Sequence, residues 1–200
     1  MNPGGARLAR VKVWDVLVRV CHWALALCIL GTMLTQQGGT VHETMGYGVL
    51  GIVAVRIAWG FAGSPHARFR DFVSGAPATL RYAGLAMAGR EPRYLGHNPL
   101  GGWMILALLL TATIAAGSGA LYVTDRFWGV AWVEDLHSIS SHALIPLVAL
   151  HVAGVIHASI RHRENLVATM VHGWKAPVPT ETPSNPNANP APARAARRST

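Results

Sequence analysis

Four long stretches of the chain are dominated by apolar residues and contain few charges. They cover residues 16–35, 42–63, 100–123 and 137–160. A helix needs about 20 mostly apolar residues to cross the hydrocarbon core of a bilayer, and each stretch meets that length. The pattern therefore predicts an all-α integral membrane protein built as a four-helix bundle.

The lengths of the connections predict how these spans follow one another. A short polar turn at 36–41 joins the first two spans, so they must form an antiparallel hairpin. Residues 124–136 join the last two spans on the same side of the membrane. The longer segment 64–99 lies on the opposite side, and within it residues 78–88 are predicted to form a short amphipathic helix at the membrane surface.

The charged residues support a membrane protein and predict its orientation. Only 13% of the residues are charged, whereas soluble domains carry about 25%. The basic residues cluster before the first span, around and after the end of the second, and after the fourth, and only Arg126 falls between the third and fourth. This positive-inside distribution predicts that both termini are cytoplasmic. The net charge of +8 is therefore explained by topology, although the arginines of the segment 64–99 would also suit anionic lipid headgroups, and a nucleic-acid partner is excluded.

The last residues differ in composition from the rest of the chain. From residue 176 onward Pro, Ala, Asn and Thr predominate, and such a segment cannot bury a core. The chain is therefore predicted to consist of a membrane domain, residues 10–175, and a disordered cytoplasmic tail, residues 176–200.

Ten histidines in so apolar a chain are its most informative feature. Ionisable side chains inside a membrane span are costly and mark functional sites. Four of the ten lie outside the spans, where a solvated or interfacial histidine is the expectation. These four are His66, His97, His162 and His172.

Helical geometry separates the four histidines of the fourth span. His137 and His151 are fourteen residues apart, which places them on nearly one face and about 21 Å apart along the axis. His142 and His157 are turned roughly to the opposite side, which makes them poorer candidates for a shared site. His137 begins the span at the outer side, and His151 lies toward its cytoplasmic half.

Histidines on two other spans match these depths. His42 begins the second span at the outer side, and His22 lies near the cytoplasmic end of the first. The spacing predicts two layers, with His42 and His137 in the outer layer and His22 and His151 in the inner layer. Any one of these histidines alone would more often be an ordinary core residue, but two depth-matched pairs are harder to explain in that way.

Paired imidazoles from facing helices are typical of haem binding, because they fill both axial positions of the iron. Zinc sites normally use more ligands than two histidines. The chain contains no C-x-x-C-H sequence, so a haem would be held without thioether bonds, as a b-type haem. Cys21 and Cys28, seven residues apart on one helix, are too far apart to form a disulfide.

Small and basic residues near these histidines have two possible roles each. Five glycines would let a flat ring approach the helix backbone, although ordinary helix packing explains the same pattern. They are Gly46, Gly48, Gly51, Gly117 and Gly119. Arg19 and Arg56 could pair with haem propionates, or they could extend to the lipid headgroups.

Several short motifs, taken together in their order and spacing, are specific. They are Val13-Trp14-Asp15, Arg19-Val20-Cys21-His22-Trp23, His42-Glu43-Thr44-Met45-Gly46-Tyr47, and His137 with His151 followed by Arg163-Glu164-Asn165. On these residues the chain resembles the bacterial cytochrome b561 family, which includes the cytochrome b subunits of membrane-bound nickel-iron hydrogenases. The resemblance covers residues 10–175. Two further segments, Pro65-His66-Ala67-Arg68-Phe69 and Gly96-His97-Asn98-Pro99, are also similar to members of the family but have no assigned role.

The resemblance implies a multi-pass protein of the bacterial inner membrane with two non-covalent b haems. Carried over residue by residue, His22, His42, His137 and His151 look like the axial ligands. The implied function is electron transfer between the quinone pool and a partner redox protein in a respiratory chain. The partner would be a periplasmic or membrane protein such as a c-type cytochrome or a hydrogenase.

The predicted outer surface is acidic and would meet such a partner. Its charged residues are Glu43, Asp125, Glu134 and Asp135, around Arg126. Electrostatic attraction at this surface predicts binding that weakens as the salt concentration rises.

Two other functions stay open. Some proteins similar to this chain oxidise superoxide and reduce quinone without a partner, which would make this protein a superoxide:quinone oxidoreductase. A histidine-lined metal-ion transporter would need carboxylates deep in the membrane. Asp15 and Glu43 lie at the ends of the spans instead, which disfavours that function.

Overall fold

A computed structural model describes residues 10–36 and 38–177 of the chain. Within them, seven helices and two short strands follow one another in the order β1 Val11–Lys12, α1 Val16–Leu34, α2 Thr40–Ala62, α3 Phe69–Phe72, α4 Ala76–Met87, α5 Pro99–Tyr122, α6 Ala131–Arg161, α7 Leu166–His172 and β2 Trp174–Lys175. The helices α1, α2, α5 and α6 are long and apolar enough to cross a membrane. The prediction of an all-α membrane four-helix bundle is therefore confirmed.

Local capping explains where two of these helices begin. Asp15 precedes α1, and its Oδ1 accepts a hydrogen bond from the Val18 amide at 2.8 Å. Asn98 precedes α5 in the same way and accepts from the Gly101 amide at 2.7 Å. These side chains satisfy amides that the first turn of a helix leaves without partners.

The predicted spans agree with α1, α2 and α5 to within about two residues, but α6 begins six residues earlier than predicted. His137 therefore lies within α6 rather than at its start. Glu134 and Asp135 interrupt the apolar pattern before His137, but Glu134 lies in the first turn of α6. An acidic side chain is favourable at a helix N-terminus, so the helix continues beyond its apolar part.

The four long helices pack in a row rather than in a closed square. α1 packs along α2, α2 along α5, and α5 along α6. The main apolar core lies between α2, α5 and the outer half of α6. It consists of Val49, Val53, Leu109, Ala112, Ala115 and Leu144.

A gap separates α6 from α1 and α2. Within the described residues, neither α1 nor α2 makes backbone contacts with α6 comparable to those between neighbours in the row. The buried residues of α6 are Val133, Ser140 and Leu144, all in its outer half, so the inner half is not buried by other helices. Pro146 lies between the buried outer half and the exposed inner half of α6. As a proline inside a helix, it removes one backbone hydrogen bond there.

The two ends of the bundle differ in structure. We call the end that carries β1, α3, α4, α7 and β2 the inner end, and the opposite end the outer end. At the inner end β1 and β2 pair antiparallel, with Val11 opposite Lys175. The Gly173 carbonyl accepts from the Val13 amide at 2.9 Å and the Trp14 amide at 3.1 Å. These bonds tie the chain on either side of the four-helix unit together.

A helix is present where residues 78–88 were predicted to form one, as α4 at the inner end. Short helices α3 and α7 and the two-stranded sheet were not predicted. The predicted tail lies, apart from Ala176 and Pro177, outside the described residues. The carbonyls of Ala176 and Pro177 accept hydrogen bonds from Arg93, at 2.8 and 3.1 Å.

Candidate functional site

The outer histidine pair bridges the gap between α2 and α6. The ring centres of His42 and His137 lie 6.0 Å apart, with an angle of 80° between the ring planes. His42 is in the first turn of α2, and His137 is in the second turn of α6. The structure therefore brings together the two histidines that the sequence analysis assigned to the outer layer.

Hydrogen bonds orient both rings of the outer pair. His137 Nδ1 lies 2.8 Å from the Ala115 carbonyl oxygen, which can only accept, so Nδ1 carries the proton. Nε2 of the neutral ring then has a free lone pair, as a metal ligand requires. His42 Nδ1 lies 3.4 Å from Thr35 Oγ1, across the turn between α1 and α2.

The inner pair bridges the gap between α1 and α6. The ring centres of His22 and His151 lie 6.3 Å apart, with an angle of 52° between their planes. His22 Nδ1 is buried and has no hydrogen-bond partner among the described residues. A buried polar atom of this kind indicates a missing partner, because most buried polar groups are satisfied.

Both ring separations suit a metal ion held between two imidazoles. With metal–nitrogen bonds of about 2 Å, two rings that share one ion place their centres about 6 Å apart. No three or more His, Cys, Asp or Glu side chains are grouped as a metal site within residues 10–36 and 38–177. Each pair could therefore supply two protein ligands to a metal ion, whose coordination another group would have to complete.

Arg56 is buried in α2 on the face that carries His42. Fourteen residues separate the two, the same spacing as between His137 and His151. Because α2 and α6 both run from the outer to the inner end, Arg56 lies at about the depth of His151. Its Nη2 donates to the Ala67 carbonyl at 3.1 Å, but its Nη1 is buried and has no partner in the described part of the chain.

Arg19 has different surroundings. Its Nη1 donates to the Val171 carbonyl near the end of α7, and its Nε donates to the Asp15 carbonyl at 3.4 Å. These bonds hold α7 against α1. The contacts of Arg19 thus account for its position at the inner end without a bound group.

The remaining histidines of α6 face away from the gap. His142 is exposed and its Nδ1 bonds to the Ser138 carbonyl of its own helix at 2.7 Å. His157 is 67% exposed in its side chain and lies 3.7 Å from Glu91 at the inner end. Their orientation agrees with the helical geometry that separated them from His137 and His151.

His97 is not the solvated or interfacial residue that its position outside the spans predicted. Its ring packs between Trp14, at 4.6 Å between ring centres, and Phe72, at 4.9 Å. Burial lowers the pKa of His97 to about 3, with a contribution from the positive charge of Arg56, so the ring is neutral. The prediction was wrong because it took exposure from the position of His97 outside the spans. The packing of the loops at the inner end determines its exposure instead.

The five glycines fall into two groups. A Cβ atom at Gly46, Gly51 or Gly117 would meet no other atom within 4 Å, so these positions border open space. A Cβ at Gly48 would lie 3.2 Å from Cys28 Sγ, and one at Gly119 would lie 2.9 Å from His137 Cε1. Gly48 and Gly119 therefore serve close helix packing, and the first group leaves room beside the helices.

Cys21 and Cys28 are both free, as predicted. At the outer end Glu43, Asp125, Arg126, Glu134 and Asp135 are exposed, together with Trp128 and Trp132. The surface expected to be acidic is thus accessible at the end that carries the outer histidine pair.

The fold and the site together define a class: a multi-pass membrane protein with two metal-compatible histidine pairs in a gap within its helix bundle. The model of the family described as prokaryotic cytochrome b561 matches residues 13–173. The chain belongs to this family, and it is a membrane b-type cytochrome of electron transfer, for which haem b is the implied cofactor.

Curated relatives carry a related description. Proteins from Bradyrhizobium diazoefficiens, Rhodobacter capsulatus and Azotobacter vinelandii are named probable Ni/Fe-hydrogenase B-type cytochrome subunits. The Bradyrhizobium protein is 26% identical to this chain, over 82% of the chain and 85% of its own length. The Rhodobacter protein is 27% identical, over 84% and 82%. The Azotobacter protein is 27% identical, over 82% and 88%. No solved structure matches the chain.

Proposed function

We propose that the protein binds two b haems, one between His42 and His137 and one between His22 and His151, and passes electrons between them across the membrane. The observation that carries this proposal is the pair of ring separations, 6.0 and 6.3 Å, at two depths of one gap. Helices that packed only against each other would close such a gap with apolar side chains.

The surroundings of the gap fit a flat, largely apolar group. Gly46 follows His42 by one helical turn and has open space at its Cβ position. The inner half of α6 lacks burial by other helices. The unpartnered atoms His22 Nδ1 and Arg56 Nη1 are buried near the inner pair. The two unpartnered atoms are costly to bury in the protein alone, and a bound haem with its propionates would offset that cost.

A bound haem iron supplies one-electron oxidation and reduction. The chain contributes the rest. His42 with His137, and His22 with His151, would each hold an iron with two imidazoles, so the sites would favour electron transfer over binding of oxygen. The bond from His137 Nδ1 to the Ala115 carbonyl holds the ring in the tautomer and orientation that ligation needs.

Arg56 is the arginine that the contacts favour as a partner of a haem propionate. Its free Nη1 lies at about the depth of His151, and a carboxylate there would satisfy a buried charge. Arg19 was assigned the same role from the sequence. Its bonds to the Val171 and Asp15 carbonyls support a structural role at the inner end instead.

The two layers would carry electrons over most of the membrane thickness. Fourteen residues of helix separate them by about 21 Å, and the hydrocarbon core is about 30 Å thick. We place the protein in the bacterial inner membrane with both termini cytoplasmic, because the basic residues concentrate at the inner end. Lipid would then surround the bundle, and the acidic outer surface would face the periplasm.

The proposed route connects the quinone pool with a redox partner. A hydrogenase is the partner that the names of the relatives favour. A c-type cytochrome is the other class of partner that would fit the exposed acidic surface. Reduction of the purified protein's haem by decyl-ubiquinol would support the quinone link, and a protein that stays oxidised with excess quinol would contradict it.

Haem stoichiometry tests the two sites directly. We expect about two b haems per chain in detergent-purified protein, with low-spin spectra, by the pyridine haemochrome assay. His42→Ala and His137→Ala should lose one and the same spectral component, and His22→Ala and His151→Ala the other.

The control variant is His142→Ala, which removes an exposed histidine of α6 and should keep both haems. A wild type with fewer than two haems would overturn the two-haem proposal. Losses that do not follow the two pairs would overturn the ligand assignment.

A further inference from the structure

His97 is a half-buried, neutral histidine for which electron transfer through the two pairs provides no role. Its ring is held between Trp14 and Phe72, and its Nδ1 is buried without a hydrogen-bond partner in the described residues. Burying an unpaired polar atom costs free energy, which an apolar side chain at the same place would avoid. A ring with this environment indicates a partner that is not part of the chain.

Arg56 borders the same aromatic group from the other side. Its guanidinium lies 5.6 Å from the ring centre of Phe69, which lies 5.7 Å from Phe72, the residue that packs on His97. Arg56 also donates to the carbonyl of Ala67, which belongs to the same buried cluster as Trp14. Two unpartnered buried nitrogens, His97 Nδ1 and Arg56 Nη1, therefore occupy one region of the inner end.

The charges in this region favour an anion. After burial, the positive charges of Arg56 and Lys175 are the largest contributions that lower the pKa of His97. Lys175 is itself only 5% exposed and is paired with Glu164 at 3.6 Å. An anionic group beside His97 and Arg56 would relieve this accumulation of positive charge.

The position of Arg56 favours an anion that belongs to a group bound in the inner layer. Arg56 lies at about the depth of His151, whose ring forms the inner pair with His22. A group bound between these two rings with carboxylates at its edge would direct them to the buried donors next to that layer. Haem b has two such propionates.

We propose that His97 donates a hydrogen bond from its Nδ1–H to a propionate of the inner haem, beside Arg56. The proposal rests on the proposed function, since it requires a haem between His22 and His151. His97 is then a positioning residue, which fixes one propionate and weakens the effect of its negative charge on the iron.

A hydrogen bond to the propionate changes the reduction potential in a defined direction. Negative charge near the iron stabilises the oxidised form, and a donor that withdraws this charge favours the reduced form. Loss of the donor should lower the affinity of the inner haem for an electron by up to about tenfold, or about 59 mV for a one-electron couple. The outer haem is far from His97 and provides an internal reference.

The experiment compares three variants of the full-length, haem-loaded protein in redox titrations. His97→Phe keeps a ring between Trp14 and Phe72 but removes the donor. His97→Asn places an amide nitrogen close to the position of Nδ1. His142→Phe removes an exposed histidine elsewhere and is the control.

We expect His97→Phe to lower the potential of the inner haem only, His97→Asn to restore most of the difference, and His142→Phe to leave both potentials unchanged. Loss of the inner haem in His97→Phe but not in His97→Asn would also support the donor role. Unchanged potentials in His97→Phe, or equal effects of Phe and Asn, would overturn it. If the wild type lacks an inner haem, the failure lies in the proposed function instead.

Discussion

Gly119 lies directly against the imidazole ring of His137. A Cβ atom at position 119 would stand 2.9 Å from Cε1 and 3.0 Å from Nδ1 of that ring. The same Nδ1 bonds to the Ala115 carbonyl, one turn earlier on α5. Gly119 thus leaves the space that the His137 ring occupies, and the Ala115 carbonyl holds the ring there by a hydrogen bond.

Gly119→Ala should therefore disturb the proposed outer haem. The added methyl group must push the His137 ring away or break its bond to Ala115, because the ring has no room on this side. We expect lower occupancy of the outer site or a shifted spectrum of its haem, with the inner haem unchanged. Absorption spectra and haem content of the purified variant measure both effects.

The matched control is Gly117→Ala, two residues away on α5, where a Cβ would meet no atom within 4 Å. This variant should bind both haems as the wild type does. Equal behaviour of the two variants would contradict the role of Gly119 in positioning His137.

Gly46→Leu tests whether the open space beside His42 belongs to a haem site. Gly46 follows His42 by four residues and shares its face of α2, and its Cβ position is free of contacts. A protein with leucine there should still fold, since space is open at the Cβ position, yet it should not bind the outer haem. Haem content together with the amount of folded protein after gel filtration would show this combination.

Gly51→Leu is the control for this substitution. Its Cβ position is equally open, but nine residues of helix turn it to the side opposite His42. Retention of both haems in Gly46→Leu would place the site elsewhere.

The pairing of the histidines was predictable because it depends on regular helices. Fourteen residues return an α-helix to nearly the same face, so His137 and His151 share a face whatever surrounds them. The depths of His22 and His42 follow from span boundaries that hydropathy locates well. Both pairs lie together in the structure as the sequence analysis assigned them.

The burial of His97 was not predictable in this way. It depends on Trp14 before α1 and Phe72 in α3, which approach it only when three separate segments of the chain meet at the inner end. Such contacts between irregular segments have no period that a sequence reveals. The early start of α6 was missed for a related reason, since apolarity marks where a helix enters the membrane and not where it begins.

Glu164→Gln should loosen the inner end. Glu164 pairs with Arg93 at 3.0 Å and with the buried Lys175 at 3.6 Å. Removal of its charge leaves the buried Lys175 without its counter-ion. Breaking a buried ion pair lowers the free energy of unfolding by about 3–5 kcal/mol, and loss of the pair with the partly exposed Arg93 lowers it by less. Faster hydrogen exchange of the amides in β2 and α7 is the expected result.

Glu43→Gln removes an exposed carboxylate at the outer end and should leave this exchange unchanged. Exchange in β2 that is the same in the wild type and in Glu164→Gln would mean that the ion pairs do not hold the strand.

Asp15→Asn should destabilise the inner end in a pH-dependent way. The carboxylate accepts hydrogen bonds from the Val18 amide at 2.8 Å, from Trp59 Nε1 at 2.9 Å and from Ser64 Oγ, which join α1 to the end of α2. Burial alone would raise the pKa of Asp15, but the bonds from Ser64, Trp59 and the backbone outweigh it, so the pKa is lowered. The charged form is therefore the one that stabilises the fold.

This direction determines the pH dependence. A carboxyl group with a lowered pKa contributes its full stability above the pKa of the unfolded chain, about 3.9, and loses it as the pH falls through the lower pKa of the folded protein. At pH 7 the variant should unfold with a free energy about 2 kcal/mol lower than the wild type, within the range for hydrogen bonds to charged groups. The difference should begin to shrink below about pH 4 and should vanish only below the lowered pKa of the folded protein, where both proteins carry a neutral group.

Thermal unfolding in detergent over a pH series measures this difference. A loss of about 2 kcal/mol corresponds to a decrease in Tm of about 4–8 °C for a chain of this size. Asp135→Asn, an exposed carboxylate at the outer end, should change the Tm little at any pH. A gap between the wild type and Asp15→Asn that stays constant down to pH 3 would show that Asp15 acts through its shape and not through its charge.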